Sequence, residues 1–477
     1  MTSMNHRTGL DRSQTLLFPE RLEDYIAAEN PVRFLDAFVA KLDLHALGFA
    51  RARCASTGCP PYDPAALLKL YLYGYLHRVR SSRLLEAECH RNVEVIWLTG
   101  KLAPDFKTIA DFRKDNLKPL KAVARQFTLL CRKLELFGGE LLAVDGSKFA
   151  AVNARDQNFN AARLQELIDR ADERLAEYLK ALDSADAAER GGAALNKNEL
   201  EQKIAALQER RDWHRELLGE LDAEQKQISV TDPDTRKMPT AHGTMVGYNA
   251  QMAVDARHKL IAADDVTNEV TDLHQLADVA LEARANLELK QVEVVADAGY
   301  YNAAEVSRCV EQGITPYIPK ADTSANTARG LYGKSQFQYD GVKDVYVCPA
   351  GGELTYRFAT YELGRELRYY RASGCKSCAL KSRCTRNKAN RTITREENEH
   401  LMEAMAARMR AQPWKFKLRK TLAEHPFGTI KRWFGYTHFL LKGLEKVRCE
   451  WSLTTLAYNL KRVLNLVSFE KLMAAVG

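Results

Sequence analysis

The stretch Leu-Leu-Ala-Val-Asp-Gly-Ser at residues 141–147 decides the fold that this sequence predicts. Four apolar residues in a row fit a buried β-strand, and Gly146 and Ser147 then end the apolar run. Asp145 is therefore expected near the end of a strand that runs through the core. A carboxylate there is costly to remove from water unless it is paired or bound to a metal. For this stretch alone, an aspartate that simply turns the chain is the competing interpretation.

A second stretch repeats the pattern. Residues 291–301 run from an apolar strand into Asp297, which is followed by alanine and glycine. Two aspartates at strand ends within one domain predict a shared carboxylate site for hard divalent cations. Hydrophobic periodicity around them gives the order strand, helical excursion, two strands, helix, strand, helix, strand. This order predicts a mixed α/β sheet whose helix-linked strands run parallel.

Length and composition set the class of protein. A chain of 477 residues predicts two or three domains, and 46% apolar with 28% charged residues is typical of a soluble globular protein. No run of eighteen apolar residues occurs, so no membrane span is expected, and the N-terminus lacks the apolar segment of a signal peptide. We therefore expect a cytoplasmic protein. Its ten cysteines then favour free thiols or a metal site over disulfides, and its net charge of +8 permits an anionic partner.

The front of the chain reads as helical. Residues 1–20 are polar and expected to be flexible, and residues 21–137 predict a domain of short helices joined by tight turns. Thr108 is the predicted cap of a short helix that presents Arg113 and Lys114. Short helices with basic residues at their ends resemble helix-turn-helix DNA-binding units. Basic faces that are merely solvated are an equal alternative on composition alone.

Residues 138–320 predict the α/β core, interrupted by an insertion at residues 160–228. Leucine and isoleucine recur there at helical spacing on both sides of a small polar turn. We interpret the insertion as an antiparallel helical hairpin with charged faces. A structural arm or a subunit contact is preferred over a catalytic role.

Residues 321–395 carry a cluster of four cysteines, Cys348, Cys375, Cys378 and Cys384. The Cys-x-x-Cys pair fits a knuckle that holds a metal with two thiolates, and the other two cysteines would complete a tetrahedral set. Structural zinc is favoured over free thiols, with an iron–sulfur cluster as a lesser alternative. Between residues 365 and 395 there are ten Lys or Arg and one acidic residue. Such a basic surface points to a phosphate backbone.

Residues 396–477 predict closing helices. The segment 414–434 mixes aromatic and basic residues around a single carboxylate, Glu424. An ion pair with Arg419 or Lys420 would be an ordinary use of this carboxylate. Lys431 lies two helical turns later, on the same face as Glu424 if the helix continues through Pro426.

Several of these blocks together resemble bacterial insertion-sequence transposases of the DDE type, specifically the insertion-sequence eleven-eighty-two group. The resemblance covers nearly the whole chain. The blocks that carry it are Tyr62-Asp63-Pro64 with Leu68-Lys69-Leu70-Tyr71, Ala103 to Arg113, Val144-Asp145-Gly146-Ser147-Lys148-Phe149, Ala296-Asp297-Ala298-Gly299-Tyr300-Tyr301, and Glu424-His425-Pro426-Phe427-Gly428-Thr429-Ile430-Lys431.

The resemblance implies a ribonuclease H-like core. Asp145 would lie on its first strand, Asp297 just after its fourth, and Glu424 on the helix after its fifth. These three residues would be the catalytic acids and would hold two Mg²⁺ ions, which Mn²⁺ can replace, for phosphodiester hydrolysis and transesterification. The helical N-terminal region would bind DNA, and the cysteine segment would be an insertion in the core.

The resemblance also implies DNA contacts. Lys431 would neutralise a phosphate, Tyr301 would stack on an unpaired base, and the basic residues Arg419 and Lys420 would lie along the DNA. Related families often carry a Tyr and an Arg before the glutamate, where this chain has Lys417 and Lys420. Lysine is a point charge where arginine binds in a bidentate manner, so the phosphate roles of those two positions differ from the family pattern.

The partners implied are the terminal inverted repeats and target DNA, bound by a homodimer or higher oligomer, because two element ends must be paired. Binding would place the protein on the nucleoid in the bacterial cytoplasm. Two rivals stand beside this hypothesis. One is a catalytically silent DNA-binding protein derived from a transposase, and the other is a stand-alone nuclease.

Overall fold

The computed structural model describes residues 21–53, 60–153, 157–189, 197–221, 227–240, 243–320, 325–362 and 365–477. The flexible N-terminus expected at residues 1–20 lies outside these ranges. The chain divides into two compact units, one made of Met1–Ala124 with Leu456–Gly477, the other of Arg125–Thr455. Among the described helices, none combines the length and the apolar character needed to cross a bilayer.

The first unit is built from short helices joined by tight turns, after one 3₁₀ turn at Leu22–Tyr25. Asp63 caps the second helix as its sequence predicts, with its side chain accepting a hydrogen bond from the Ala65 amide at 2.8 Å. The helices from this part of the chain are α1 (Pro31–Ala40), α2 (Pro64–Leu76), α3 (Ser82–Arg91), α4 (Val93–Leu98), α5 (Phe106–Asp115) and α6 (Leu117–Lys133).

The cap predicted at Thr108 is wrong. Asp105 caps α5 instead, and its carboxylate accepts from the backbone amide of Thr108 at 2.8 Å and from the Thr108 hydroxyl at 3.1 Å. Aspartate is the better acceptor at this position because its charge also complements the positive end of the helix dipole. The helix therefore starts three residues earlier than the sequence pattern suggests.

The core of the first unit lies around α2, whose residues are almost all apolar and buried. Tyr71 is fully buried, donates its hydroxyl hydrogen to the Ile109 carbonyl at 2.7 Å, and stacks on Phe112 with 5.9 Å between ring centroids. These contacts hold α5 against α2. A buried tyrosine hydroxyl needs such a partner.

The first half of the second unit contains an α/β sheet. Its elements are β1 (Leu141–Ala150), β2 (Asn158–Phe159), α7 (Ala161–Glu189), α8 (Lys197–Glu220), β3 (Ile228–Ser229), β4 (Arg236–Thr240), β5 (Gly243–Asp255), β6 (Ile261–Thr267), α9 (Leu276–Asn286), β7 (Val292–Val295), α10 (Ala303–Glu311) and β8 (Ile314–Tyr317).

The main sheet has the order β4-β5-β1-β7-β8, and β6 also pairs with β5. Strand β1 runs antiparallel to β5 and parallel to β7, which is in turn parallel to β8. Leu142, Ala143 and Val144 of β1 are completely buried, as expected for a central strand. The mixed α/β sheet predicted from the sequence is therefore present, with β4 as a strand that the sequence pattern did not predict.

The insertion between β1 and β5 forms two long helices, α7 and α8. A small apolar cluster of Phe159, Leu164 and Leu217 lies at their base. Along the helices, Arg211 and Arg215 of α8 form ion pairs with Asp172 of α7 at 3.3 and 3.1 Å. The pairs are largely exposed, so they fix the alignment of the two helices more than they stabilise them.

Residues 321–395 contain a five-stranded antiparallel sheet that the sequence analysis did not predict. Its strand order is β13-β12-β11-β10-β9, and its core contains Phe337, Tyr346, Leu354, Tyr370 and Ile393. The elements are α11 (Ala325–Ala328), β9 (Gln338–Asp340), β10 (Val345–Val347), β11 (Glu353–Glu362), β12 (Arg365–Ala372), α12 (Lys381–Cys384) and β13 (Thr392–Glu396).

The closing helices are α13 (Glu399–Ala411), α14 (Pro413–Gly428), α15 (Leu444–Leu466) and α16 (Phe469–Val476). Helix α14 continues through Pro426 and passes into a π-helical turn at Thr429–Trp433. Phe427 of α14 stacks on Trp451 of α15, and the Trp451 ring lies 5.0 Å from that of Phe149 on β1. This aromatic cluster fixes α14 beside the strand that carries Asp145.

Candidate active site

Asp145 and Asp297 meet at one edge of the main sheet. Ala143 of β1 pairs with Val295 of β7 in parallel register. Asp145 lies two positions after Ala143, and Asp297 lies two positions after Val295. Parallel neighbours point the same way, so their carboxyl ends share an edge of the sheet. Asp297 also caps the turn that follows β7, accepting from the Gly299 amide at 2.8 Å.

One arginine bridges the two carboxylates. Nη1 of Arg419, on α14, lies 3.3 Å from Oδ1 of Asp145 and 3.8 Å from Oδ2 of Asp297. The side chains of Arg419 and Asp145 are each only 18% exposed, so this contact is partly withdrawn from solvent. The guanidinium therefore supplies the positive charge that the two carboxylates share.

The Asp145 carboxyl titrates abnormally. Burial raises its pKa to about 6, and the charges of Asp297 and of a third carboxylate, Asp272, add to the rise while Arg419 opposes it. Clustered carboxylates disfavour each other's ionised forms and so create a demand for a cation. The negative field at this edge of the sheet is thus produced by three aspartates.

Glu424 is not part of this cluster. Its side chain is 64% exposed, and its ion pair is with Lys420 at 3.9 Å. Five residues separate Glu424 from Arg419, which places the two side chains about 140° apart around α14. The helix therefore presents Arg419 to the aspartates and Glu424 to a different side.

The residues predicted to contact DNA are placed differently from one another. Lys431 is half-buried, donating from Nζ to the Ser147 hydroxyl at 2.6 Å and to the Lys148 carbonyl at 2.9 Å. The Nζ of Lys431 also lies 4.4 Å from the centre of the Phe149 ring. It is thus held beside the strand of Asp145. Tyr301 is half-buried near the Asp297 turn, and burial raises its pKa to about 12.

In the first unit, Arg113 is 7% exposed, with its guanidinium 5.5 Å from the centre of the Tyr71 ring. This arrangement directs Arg113 into the core of that unit rather than toward a partner. Lys114 is exposed, and so is Lys420 on α14. Of the predicted DNA contacts, Lys114 and Lys420 are the ones that face solvent.

The donor set at the sheet edge fits a hard divalent cation in part. Two carboxylates that already share one positive group offer oxygen ligands of the type Mg²⁺ takes. Among the described residues, however, no group of three or more His, Cys, Asp or Glu side chains is arranged to hold a metal ion. The pair Asp145 and Asp297 is therefore the preformed part of the site.

The four clustered cysteines line one small cavity beneath the five-stranded sheet. Cys348, Cys375 and Cys384 pack against its apolar core. Burial raises the pKa of the Cys384 thiol, and its three neighbours raise it further. Cys348 and Cys384, which are 36 residues apart in the sequence, thus line the same cavity.

Two segments of the chain match known protein families. Residues 347–464 match the family described as "Transposase DDE domain", and residues 20–115 match the one described as "Transposase domain (DUF772)". The first match includes Glu424, and neither includes Asp145 or Asp297. None of the curated proteins compared matches.

A solved structure is similar at a low level. Its title is "Cryo-EM structure of piggyBac transposase synaptic complex with hairpin DNA (SNHP)". The identity is 8% and the TM-score 0.32, over 94% of this chain and 79% of that one. A likeness of this size carries no argument about the present chain.

Proposed function

We propose that this chain, which matches transposase family models over residues 20–115 and 347–464, is an insertion-sequence transposase of the DDE type that cleaves DNA at the ends of an insertion sequence and transfers the freed strands to target DNA. The observation that carries this proposal is the pair Asp145 and Asp297, placed on neighbouring parallel strands and bridged by Arg419. Two acidic side chains at one edge of a sheet can supply oxygen ligands for the metal ions that assist phosphoryl transfer. The proposed partners are the terminal inverted repeats and target DNA, bound on the bacterial nucleoid.

The strand order supports a ribonuclease H-like core. Apart from the short strand β4, the strands lie in the order β6-β5-β1-β7-β8. Strand β1 is central, β5 and β6 extend the sheet on one side in antiparallel fashion, and β7 and β8 extend it in parallel on the other. In chain order, Asp145 lies on the first of these strands and Asp297 just after the fourth. Glu424 follows the fifth strand on α14. This order along the chain supports the proposed roles of the three carboxylates.

In the proposed reaction, Asp145, Asp297 and Glu424 would hold two Mg²⁺ ions, which Mn²⁺ could replace. Such ions lower the pKa of an attacking water or 3′-hydroxyl and stabilise the leaving oxygen. The chain's own part is to hold the carboxylates at a fixed edge of the sheet. Lys431 is close enough to the Asp145 strand to neutralise a phosphate, and Tyr301 offers an aromatic face to an unpaired base.

A second candidate is a catalytically silent DNA-binding protein derived from a transposase. The observation that favours it is the exposed side chain of Glu424, paired with Lys420 rather than assembled with the aspartates. It predicts binding of the element ends without cleavage. The two candidates therefore differ in a single measurable step.

The test is cleavage of a labelled duplex that carries the inverted repeat found beside the encoding gene. With Mg²⁺ we expect a nick at the tip of the repeat, and with EDTA no nick. Glu424→Ala should bind the duplex and fail to nick it, whereas Glu445→Ala, which removes another exposed glutamate, should nick normally. Tight binding by the wild type without any nick in Mg²⁺ would establish the silent alternative.

We also propose that the four cysteines close around one structural zinc ion when it binds, because they line a single cavity although no three of them are arranged to hold a metal in this structure. The purified protein is expected to contain about one zinc per chain. Cys378→Ser should lose that zinc and unfold at a lower temperature, while Cys309→Ala, at a buried cysteine on α10, should keep it. Metal analysis and thermal unfolding measure both effects. Wild-type protein that is free of zinc after purification in zinc-containing buffer would show free thiols instead.

A further inference from the structure

Asp272 lies in the loop between β6 and α9, away from every block that first suggested a site. We propose that Asp272 is a further acidic residue of the active site, which positions Asp145 and Asp297 and adds to the negative charge that receives the cation. The inference rests on the proposed function. It names a fourth acidic residue besides Asp145, Asp297 and Glu424.

The Asp272 carboxylate is firmly held by side chains of β5 and β1. Its Oδ1 accepts hydrogen bonds from Nδ2 of Asn249 at 2.6 Å and from Nε2 of Gln251 at 2.7 Å. Nζ of Lys148 lies 3.6 Å from the same oxygen. Asn249 and Gln251 are completely buried on β5. Burying two amides is costly, so a loop carboxylate that receives both has a defined place.

Gln251, which holds Asp272, also contacts the segments that carry the two proposed catalytic aspartates. Gln251 pairs across the sheet with Gly146, the residue after Asp145. The Oε1 of Gln251 accepts the hydroxyl hydrogen of Tyr300, which lies in the turn after Asp297. One amide side chain therefore links Asp272 to the segments that carry both aspartates.

The glycines that follow the two aspartates, Gly146 and Gly299, lie close to the Asp272 carboxylate. A Cβ atom on Gly146 would lie 2.3 Å from Nε2 of Gln251 and 2.7 Å from Oδ1 of Asp272. A Cβ on Gly299 would lie 2.9 Å from Oδ1 of Asp297 and 3.8 Å from Oδ2 of Asp272. Gly146 thus leaves room for the Asp272 carboxylate, whereas a side chain at Gly299 would crowd Asp297 and would meet Asp272 only at an ordinary contact distance. The glycine that follows Asp145 is therefore the one whose missing side chain lets Asp272 approach β1.

Lys148 is a buried positive charge beside Asp272. Its Nζ is buried and, among the described residues, has no hydrogen-bond partner. The nearby Asp272 carboxylate offsets this charge, and the backbone carbonyl of Lys148 accepts from Lys431. Without Asp272, an unbalanced ammonium would lie three residues from Asp145 and repel a cation bound there.

The test compares Asp272→Asn with Asp278→Asn. Asparagine keeps an oxygen that can accept from Asn249 and Gln251 but removes the charge, and Asp278 is an exposed aspartate on α9 that pairs with Arg308. Binding of Mn²⁺ to the full-length protein without DNA is followed by electron paramagnetic resonance of the free ion. Cleavage of the repeat duplex is measured across Mg²⁺ concentrations.

We expect Asp272→Asn to bind Mn²⁺ about 10-fold more weakly and to need correspondingly more Mg²⁺ for cleavage, with DNA binding unchanged. Asp272→Glu should restore most of the Mn²⁺ affinity, and Asp278→Asn should match the wild type. If Asp272→Asn binds Mn²⁺ as tightly as the wild type, the inference is wrong. This holds even if the unfolding temperature of the variant falls, because Asp272 would then have only a structural role.

If Asp272→Asn does not fold, Asp272→Ser removes the charge with a smaller side chain and is judged by the same Mn²⁺ measurement. Failure of the proposed function looks different, because the wild type itself would then neither bind Mn²⁺ through Asp145 nor nick the duplex. The variant Asp145→Asn, measured beside the wild type, shows whether the bound ion is at this edge of the sheet. The two failures are thus distinguished in one series.

Discussion

Asp297→Asn is expected to lower the rate of DNA cleavage by at least about 1,000-fold, because metal-assisted phosphoryl transfer depends on several kcal/mol of charge stabilisation. Asparagine is isosteric with aspartate and keeps the oxygen that accepts from the Gly299 amide, so the turn after β7 should persist. What is lost is one of the two negative charges that Arg419 bridges. Binding of the element ends should change little, since Asp297 repels phosphate rather than attracting it.

The measurement is a single-turnover cleavage assay with the repeat duplex, beside a gel-shift titration and circular dichroism. Asp340→Asn is the matched control, because Asp340 caps a surface turn in the same way, accepting from the Val342 amide at 3.0 Å, but lies in the other sheet. That control should cleave at the wild-type rate. An Asp297→Asn protein with an unfolded spectrum and no DNA binding would instead make Asp297 a structural residue.

The sequence predicted the Asp145 and Asp297 pair because its signal is local. An apolar run that ends in aspartate places a carboxylate at a strand end, and parallel pairing of β1 with β7 then brings the two ends together. The same reasoning predicted a mixed α/β sheet and most of its strands along the chain, but not which strands are neighbours in the sheet. Short-range patterns are sufficient wherever a side chain's place follows from its own strand.

Asp272 could not be predicted in this way. It lies in an irregular loop, and the amides that hold it, on Asn249 and Gln251, come from a strand more than twenty residues earlier. A polar residue inside an apolar strand is the one local signal, since Gln251 interrupts the run of β5 at a position that is completely buried. A buried amide needs a partner, but the sequence does not say which one.

The five-stranded sheet was missed for a related reason. Strand β12 reads Arg-Glu-Leu-Arg-Tyr-Tyr-Arg-Ala, and its many arginines gave the appearance of a basic surface rather than of a strand. Tyr370 and Ala372 are nonetheless buried in the core of that sheet. Arg113 shows the opposite error, because a basic residue at a helix end turned inward over an aromatic ring.

Arg419 illustrates what depends on three-dimensional placement. From the sequence, Arg419 and Lys420 were equal candidates to pair with Glu424. Helix α14 packs against β1 so that Arg419 faces the sheet. Arg419 therefore contacts the two aspartates, and Lys420 pairs with Glu424. Neighbours on a helix point about 100° apart, so adjacent basic residues have unrelated partners.

Arg419→Gln is expected to destabilise the metal-free protein by about 1–3 kcal/mol and to increase the stabilisation that Mg²⁺ provides. Removing the guanidinium leaves Asp145 and Asp297 without the positive charge they share, and the pKa of the Asp145 carboxyl should rise further. A bound divalent cation would then supply that charge without having to displace the arginine. In the wild type the two compete, so Mg²⁺ stabilises it less.

Thermal unfolding at increasing Mg²⁺ concentrations measures this difference, with EDTA as the metal-free reference. Lys420→Gln is the control, since it removes a neighbouring positive charge that is 75% exposed and pairs with Glu424 instead. The two variants lose the same charge from the same helix, so a general electrostatic effect would shift both equally. A larger Mg²⁺ shift in Arg419→Gln alone would show that arginine and metal occupy one site. Equal shifts in the two variants would mean that the guanidinium and the cation bind apart, and Arg419 would then stabilise the fold of the α14–β1 contact rather than hold the metal's place.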